Sequence, residues 1–261
     1  MDKSSFAGLA VGVGGVVAGL LLEGGKIAQI LQPTAAMIVF GGTLGAVMLQ
    51  FPLPVVRSAF RRLVTVFFEP ELEQQQAVRQ LVAFANKARK QGIVSLDADL
   101  PAIQQPFLRK ALMLAVDGTE PQELRKMMQL EMDNQAERED HIPRVFESAG
   151  GFSPTIGIIG AVLGLIQTMQ HLDNMDEVGK GIAVAFVATV YGVGAANLFF
   201  LPSAGKLRIR LRKEQILRDM TLEGVISILE GMNPRMLEAK LMGFLQELPT
   251  AGTPTSPRPL L

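Results

Sequence analysis

Residues 151–170 read GFSPTIGIIGAVLGLIQTMQ and residues 181–202 read GIAVAFVATVYGVGAANLFFLP, with the charged bend HLDNMDEVGK between them. Crossing the hydrocarbon core of a bilayer takes about 20 helical residues at about 1.5 Å of rise each. Both runs meet that length, and neither carries a charged side chain. On the first, Pro154, Gly157, Ala161, Gly164 and Thr168 recur at steps of three and four; on the second, Ala185, Thr189, Gly192 and Ala196 do the same. Each set therefore lies along one helical face. Such a face has two meanings in a membrane. It is most often a seam that lets helices pack closely. It can also line a narrow wet path, where a threonine hydroxyl both donates and accepts hydrogen bonds. A proton or cation path normally uses an ionisable group at membrane depth. These runs hold none, and Glu23 lies only at the end of an earlier span. If this is a path, another chain brings the acid.

Composition supports a chain divided between membrane and water. Of 261 residues, 48% are hydrophobic and 19% charged, and the mean hydropathy is +0.28. That is too apolar for an ordinary soluble domain and too charged for a chain wholly in lipid. The net charge is zero, which provides no field for nucleic acid. Cysteine is absent, excluding disulfides and thiol chemistry, and His141 and His171 alone do not make a metal site. With no nucleophile–base pair or ligand cluster in view, the chain does not read as an enzyme, and no cofactor or metal is expected.

Working outward, residues 6–25 form a first span after MDKSS. Lys3 before an apolar run resembles a signal peptide, but the spans that follow favour an uncleaved anchor. Gly8, Gly12, Gly15 and Gly19 give the small-residue spacing of close helix packing. Residues 33–51 form a second span, with Pro33 in its first turn and PLP at 52–54 ending it; EGGKIAQILQ before it reads as a hairpin bend. Residues 55–150 differ in character. Arg57, Arg61 and Arg62 come first; 72–91 is an amphipathic helix stopped by Gly92; Ser95 caps a short helix; Gln105–Val116 is another. Thr119 and Gln122 read as a capping box, with Pro121 inside the helix start. No convincing strand pattern occurs. After Pro202, Lys206, Arg208, Arg210, Arg212 and Lys213 load the start of an amphipathic helix, which Asn233-Pro234 breaks before a last one. This basic stretch reads as a membrane-surface anchor. The tail is rich in Pro, Thr and Ser and reads as disordered.

The expectation is an all-α protein with four transmembrane helices. Spans 1 and 2 occupy 1–51, a helical domain 52–150, spans 3 and 4 151–202, C-terminal helices 203–247 and the tail 248–261. Basic clusters follow spans 2 and 4, whereas the other bends hold only Lys26 and Lys180. The positive-inside rule then puts both termini and the 52–150 domain in the cytoplasm.

This layout resembles the MotA family of flagellar motor stator subunits, within the wider MotA/TolQ/ExbB proton channel superfamily. SPTIGIIGAVLGLI is similar to the family's proline-led third helix. VATVYGVGAANLFFLP is similar to its fourth, with a threonine 13 residues before the closing proline, and ANKARKQGIVSLDADL to a segment of its loop. The resemblance covers residues 1–245. It implies that Arg89, Asp97 and Glu131 face the rotor protein FliG, with Asp97 standing where relatives often have Glu. Pro154 and Pro202 match prolines that couple ion passage to movement of the loop. Thr189 and Ala161 match channel-lining positions, and alanine in place of threonine at 161 favours protons over sodium, since a hard cation loses an oxygen ligand. The resemblance further implies a homo-pentamer in the bacterial inner membrane around MotB-type single-span partners, each supplying the intramembrane aspartate. Two other readings remain. A TolQ/ExbB-type energiser would have the large loop after its first span, whereas two spans precede it in this chain. A membrane scaffold or small-molecule transporter without ion coupling needs no partner acid.

Overall fold

Prolines and glycines set most of the boundaries. The computed structural model describes residues 3–68 and 74–246, and among these every regular element is helical. The tail expected at 248–261 lies outside the described residues.

By contacts the chain forms two compact units, Met1–Pro70 with Arg138–Arg210, and Glu71–Glu137 with Leu211–Leu261. The first unit opens with α1 (Lys3–Leu22), α2 (Ile27–Ile30) and α3 (Pro33–Ala36). A widened π segment, Met37–Gly41, then leads into α4 (Gly42–Gln50), so that 33–50 is one span. The bend between the first two spans thus contains a short helix that its length did not announce. Pro33 starts α3, where a missing N–H costs nothing. Phe51 is extended ahead of Pro52, and α5 (Leu53–Phe68) follows.

The second unit contains α6 (Gln74–Gln91), a 3-10 helix (Ile93–Ala102) and α7 (Pro106–Val116). Gly92 ends α6 with φ of 82°, a left-handed conformation that favours glycine. Ser95 lies inside the 3-10 helix and its hydroxyl donates to the Gly92 carbonyl at 2.7 Å; it does not cap the helix start. Next comes α8 (Pro121–Gln170), followed by α9 (Met175–Ala195), a π segment (Ala196–Phe200), α10 (Leu201–Leu229) and α11 (Pro234–Gln246). Asn174 opens α9, its side chain accepting the Asp176 N–H. Asn233 does the same for Arg235 ahead of α11.

Two expectations about prolines are corrected. Pro154 does not begin a helix: it lies inside the 50 residues of α8, as does Pro143. Pro202 does not end one, because helix continues from Met175 to Leu229. A proline within a helix lacks the N–H for the carbonyl four residues back, and its ring crowds that turn. At Pro202 the carbonyl is that of Leu198, which falls in the widened π segment just before it. At Pro154 the corresponding residue is Gly150.

Among the described residues, four helices are long and apolar enough to cross a membrane. In the first unit, Val47, Val56, Ala59, Phe146, Ala149 and Leu207 form a buried cluster, with Phe60 edge-on to Phe146. Arg62 pairs with Glu139 at 3.0 Å. A smaller cluster joins Ala35 and Val39 to Val187 and Ala188. None of the apolar run of α1 is buried. In the second unit, Leu81, Leu96, Leu112, Met128, Ile226 and Leu237 belong to one continuous core. Truncating one of these leucines to alanine costs about 2–5 kcal/mol.

Candidate functional site

The small residues of the 151–202 stretch meet one another. A Cβ added to Gly157 would lie 2.9 Å from the Ala188 carbonyl oxygen and 3.5 Å from Thr189 Cα. One added to Gly164 would lie 2.8 Å from Ala185 N and from the Gly181 oxygen. At Gly192 the Ser153 oxygen would be 2.5 Å away and Pro154 Cα 3.2 Å. Helices α8 and α9 therefore touch backbone to backbone along this face, as the packing meaning of the seam requires. Gly160, one residue outside the spacing noted in the sequence, also belongs to it, facing Ala188 Cβ and Ile38.

Ala161 lies one turn on from Gly157, and Thr189 one turn on from Ala185; both are half-buried. The Thr189 hydroxyl donates to the Ala185 carbonyl at 3.2 Å, within its own helix. Thr168 is buried and donates to the Gly164 carbonyl at 3.0 Å. Within the apolar runs of these helices, Ile158, Val162, Leu165 and Ile166 on α8, and Phe186, Val190 and Val193 on α9, are exposed. Among the described residues no cluster of His, Cys, Asp or Glu could hold a metal.

Two polar side chains escaped the sequence reading. Thr43 Oγ1 on α4 and Ser153 Oγ on α8 are buried with no hydrogen-bond partner. Burying a hydroxyl without a partner costs about 1–3 kcal/mol. Ser153 stands beside Pro154 in the sequence, a signal that could have drawn attention to it; Thr43, within GGTLG, gives none beyond its polarity in an apolar run.

In the other unit, Arg89 occupies the last turn of α6 and Asp97 the 3-10 helix; both are exposed and neither makes an ion pair among the described residues. Nearby in sequence, Lys87 and Asp99 do pair, at 2.7 Å. Glu131, on α8, is half-buried and paired with Lys110 of α7. Glu223 accepts from Arg125 at 2.8 Å and also from Lys240. Burial pushes the Glu223 carboxyl up, but its hydrogen bonds to Lys240 and Arg125 outweigh that and hold it below the usual range. Asp219 is shifted the other way, raised first by burial and then by the Asp133 charge, against a smaller pull from Arg212.

Among the described residues, four membrane-length helices, a backbone-close seam between two of them and a charged helical unit define a multi-pass membrane protein. Residues 99–220 match the MotA/TolQ/ExbB proton channel family, and residues 6–92 match the motility protein A N-terminal family. The latter match covers both candidate spans ahead of α5, the arrangement that separated this chain from the TolQ/ExbB reading. Motility protein A of Bacillus subtilis is 33% identical over 94% of this chain and 91% of its own length. The chain superposes on a structure of C. jejuni MotAB with a TM-score of 0.89 at 31% identity, covering 95% of this chain and 97% of that one. For the flagellar MotAB stator complex from Bacillus subtilis the TM-score is 0.85 at 32% identity, with 94% and 96% covered. The chain belongs to the MotA/TolQ/ExbB proton channel family, on its motility protein A branch.

Proposed function

We propose that this chain is a stator subunit of the bacterial flagellar motor, forming with a single-span MotB-type partner an ion channel that converts ion flow into torque. The observation that carries the proposal is the likeness to MotAB over 95% of the chain. The chain is an inner-membrane protein with both termini cytoplasmic, because its basic clusters follow the second and fourth spans. It assembles as a homo-pentamer, and the partner's aspartate supplies the carboxylate that the seam lacks.

In this reading protons pass between the partner's helix and the wall formed by α8 and α9, with Ala161 and Thr189 facing the acid. Ala161 offers no oxygen ligand to a sodium ion. One elementary charge crossing 100 mV releases about 2.3 kcal/mol, enough to tip a nearly balanced packing of small residues. Pro154 and Pro202 are where the helices lack an N–H and yield most easily. Arg89 and Asp97, exposed and unpaired among the described residues, act on FliG through their charge. Glu131 contributes less, since Lys110 already neutralises it.

The test is expression with the cognate partner in a motile strain lacking its own stators. Rotation that stops on adding a protonophore and persists without sodium is the expected result. No rotation with the cognate partner overturns the stator assignment, and dependence on sodium overturns the proton assignment.

A further inference from the structure

Between α2 and α3 the backbone leaves the helical conformation. Leu31 has φ of −92° and ψ of 88°, and Gln32 has φ of −118° and ψ of 101°. The Ile30 carbonyl and the Gln32 N–H, on either side of Leu31, both go to one atom of a distant helix. The Tyr191 hydroxyl on α9 donates to the Ile30 carbonyl at 2.5 Å and accepts the Gln32 N–H at 3.3 Å. A phenol can do both at once, and next to lipid an unpaired backbone group is costly. The ring is held as well. Its centroid lies 6.0 Å from that of Phe40, and it packs against the cluster of Ala35, Val39, Val187 and Ala188. Tyr191 follows Thr189 by two residues, so at about 3.6 residues per turn the two stand on roughly opposite sides of α9.

We propose that Tyr191 is a positioning residue: by tying α9 to the bend between the first two spans it fixes the turn of α9 about its own axis, and so presents Thr189 to the partner's helix. The seam against α8 sets how closely α9 approaches, but its glycines carry no side chain to fix that turn. A hydroxyl bonded to two backbone atoms on the far side does. The inference rests on the channel reading given above and adds to it a residue that lies outside the channel wall.

The test uses the full chain assembled with its partner and reconstituted in proteoliposomes. Tyr191→Phe removes the hydroxyl and keeps the ring. Ion flux per assembled complex should fall about fivefold, the scale of one lost hydrogen bond. In a Thr189→Ala background the same substitution should lower flux no further, because the two residues act through one contact. The chain contains no cysteine, so Thr189→Cys places a single thiol on it. The rate at which that thiol reacts with a small methanethiosulfonate, read by mass spectrometry of this chain, should change severalfold when Tyr191→Phe is added. Unchanged flux, unchanged labelling, additive losses in the double variant, or loss of assembly in Tyr191→Phe would each overturn the proposal. A complex without any substitution that conducts no ions fails the channel reading instead, and the labelling rate alone then decides whether Tyr191 holds α9.

Discussion

Gly192 faces backbone on three sides. The atoms a methyl group would strike are the Ser153 oxygen at 2.5 Å and the Cα atoms of Gly157 and Pro154, none of which can rotate away. Gly192→Ala should therefore cost about 1–3 kcal/mol, seen as a lower melting temperature of the purified complex. Gly194→Ala, on the same helix with nothing within 4 Å, should leave it unchanged. Thr189 is a different case, because its hydroxyl bonds only within its own helix. Thr189→Ala should leave assembly intact but lower ion flux about tenfold, the worth of one hydrogen bond of about 1.5 kcal/mol, with Thr189→Ser keeping most of it. Arg89 and Asp97 are exposed, so Arg89→Glu and Asp97→Lys should change stability by no more than about 0.5 kcal/mol. Torque in a tethered-bead assay should nonetheless fall sharply; loss of the protein from the membrane would indicate a structural role. The seam residues were legible because steps of three and four survive in any helix. Gly160 was not, since its contact depends on where α9 and Ile38 lie, and Ser153 was overshadowed by the proline beside it.

At the scale of elements, the four spans were legible from uninterrupted apolar length, and α6, α7 and α11 from their breakers. The continuity of α8 and of the α9–α10 run was not. Proline ordinarily marks a boundary, and Pro154 and Pro202 each stand where apolar sequence meets polar sequence, so both cues pointed to an end. Helix runs on through both: Phe146, Ala149 and Leu207, close to these prolines in sequence, are buried in one cluster. The widened turn at Ala196–Phe200 needs a structure to be seen, because widening leaves no mark on composition. Pro202→Ala returns an N–H to the helix beside the π segment, where the Leu198 carbonyl could accept it. The variant should insert and bind its partner normally while rotation slows, measured as swimming speed against complex abundance.

For the molecule as a whole, acid acts in opposite directions on two carboxyls of the second unit. The Asp219 pKa is raised by burial and by Asp133, so the folded unit holds that proton more tightly than the unfolded chain does. Ionised Asp219 is destabilising, and the penalty is relieved as pH falls through its raised value. Glu223 is held low by Lys240 and Arg125 against the opposing effect of burial; its contribution is present above the ordinary glutamate value and disappears as pH falls through the depressed one. Asp219→Asn should thus raise the melting temperature at neutral pH, with the advantage shrinking on acidification. Glu223→Gln should lower it at neutral pH, with the deficit closing in acid. Parallel melting curves of the two variants across pH check both signs.

The seam between α8 and α9 has a mechanical consequence. Where Gly157, Gly164, Gly181 and Gly192 meet backbone, the contact has almost no rotatable bonds of its own. Interdigitated leucines must change rotamer before one helix can slip along another, and each change is a small barrier. Backbone against backbone has no such teeth. The two helices can be close-packed and still shift with little friction, as a bearing surface does, so work delivered to the seam need not be lost in re-sorting side chains.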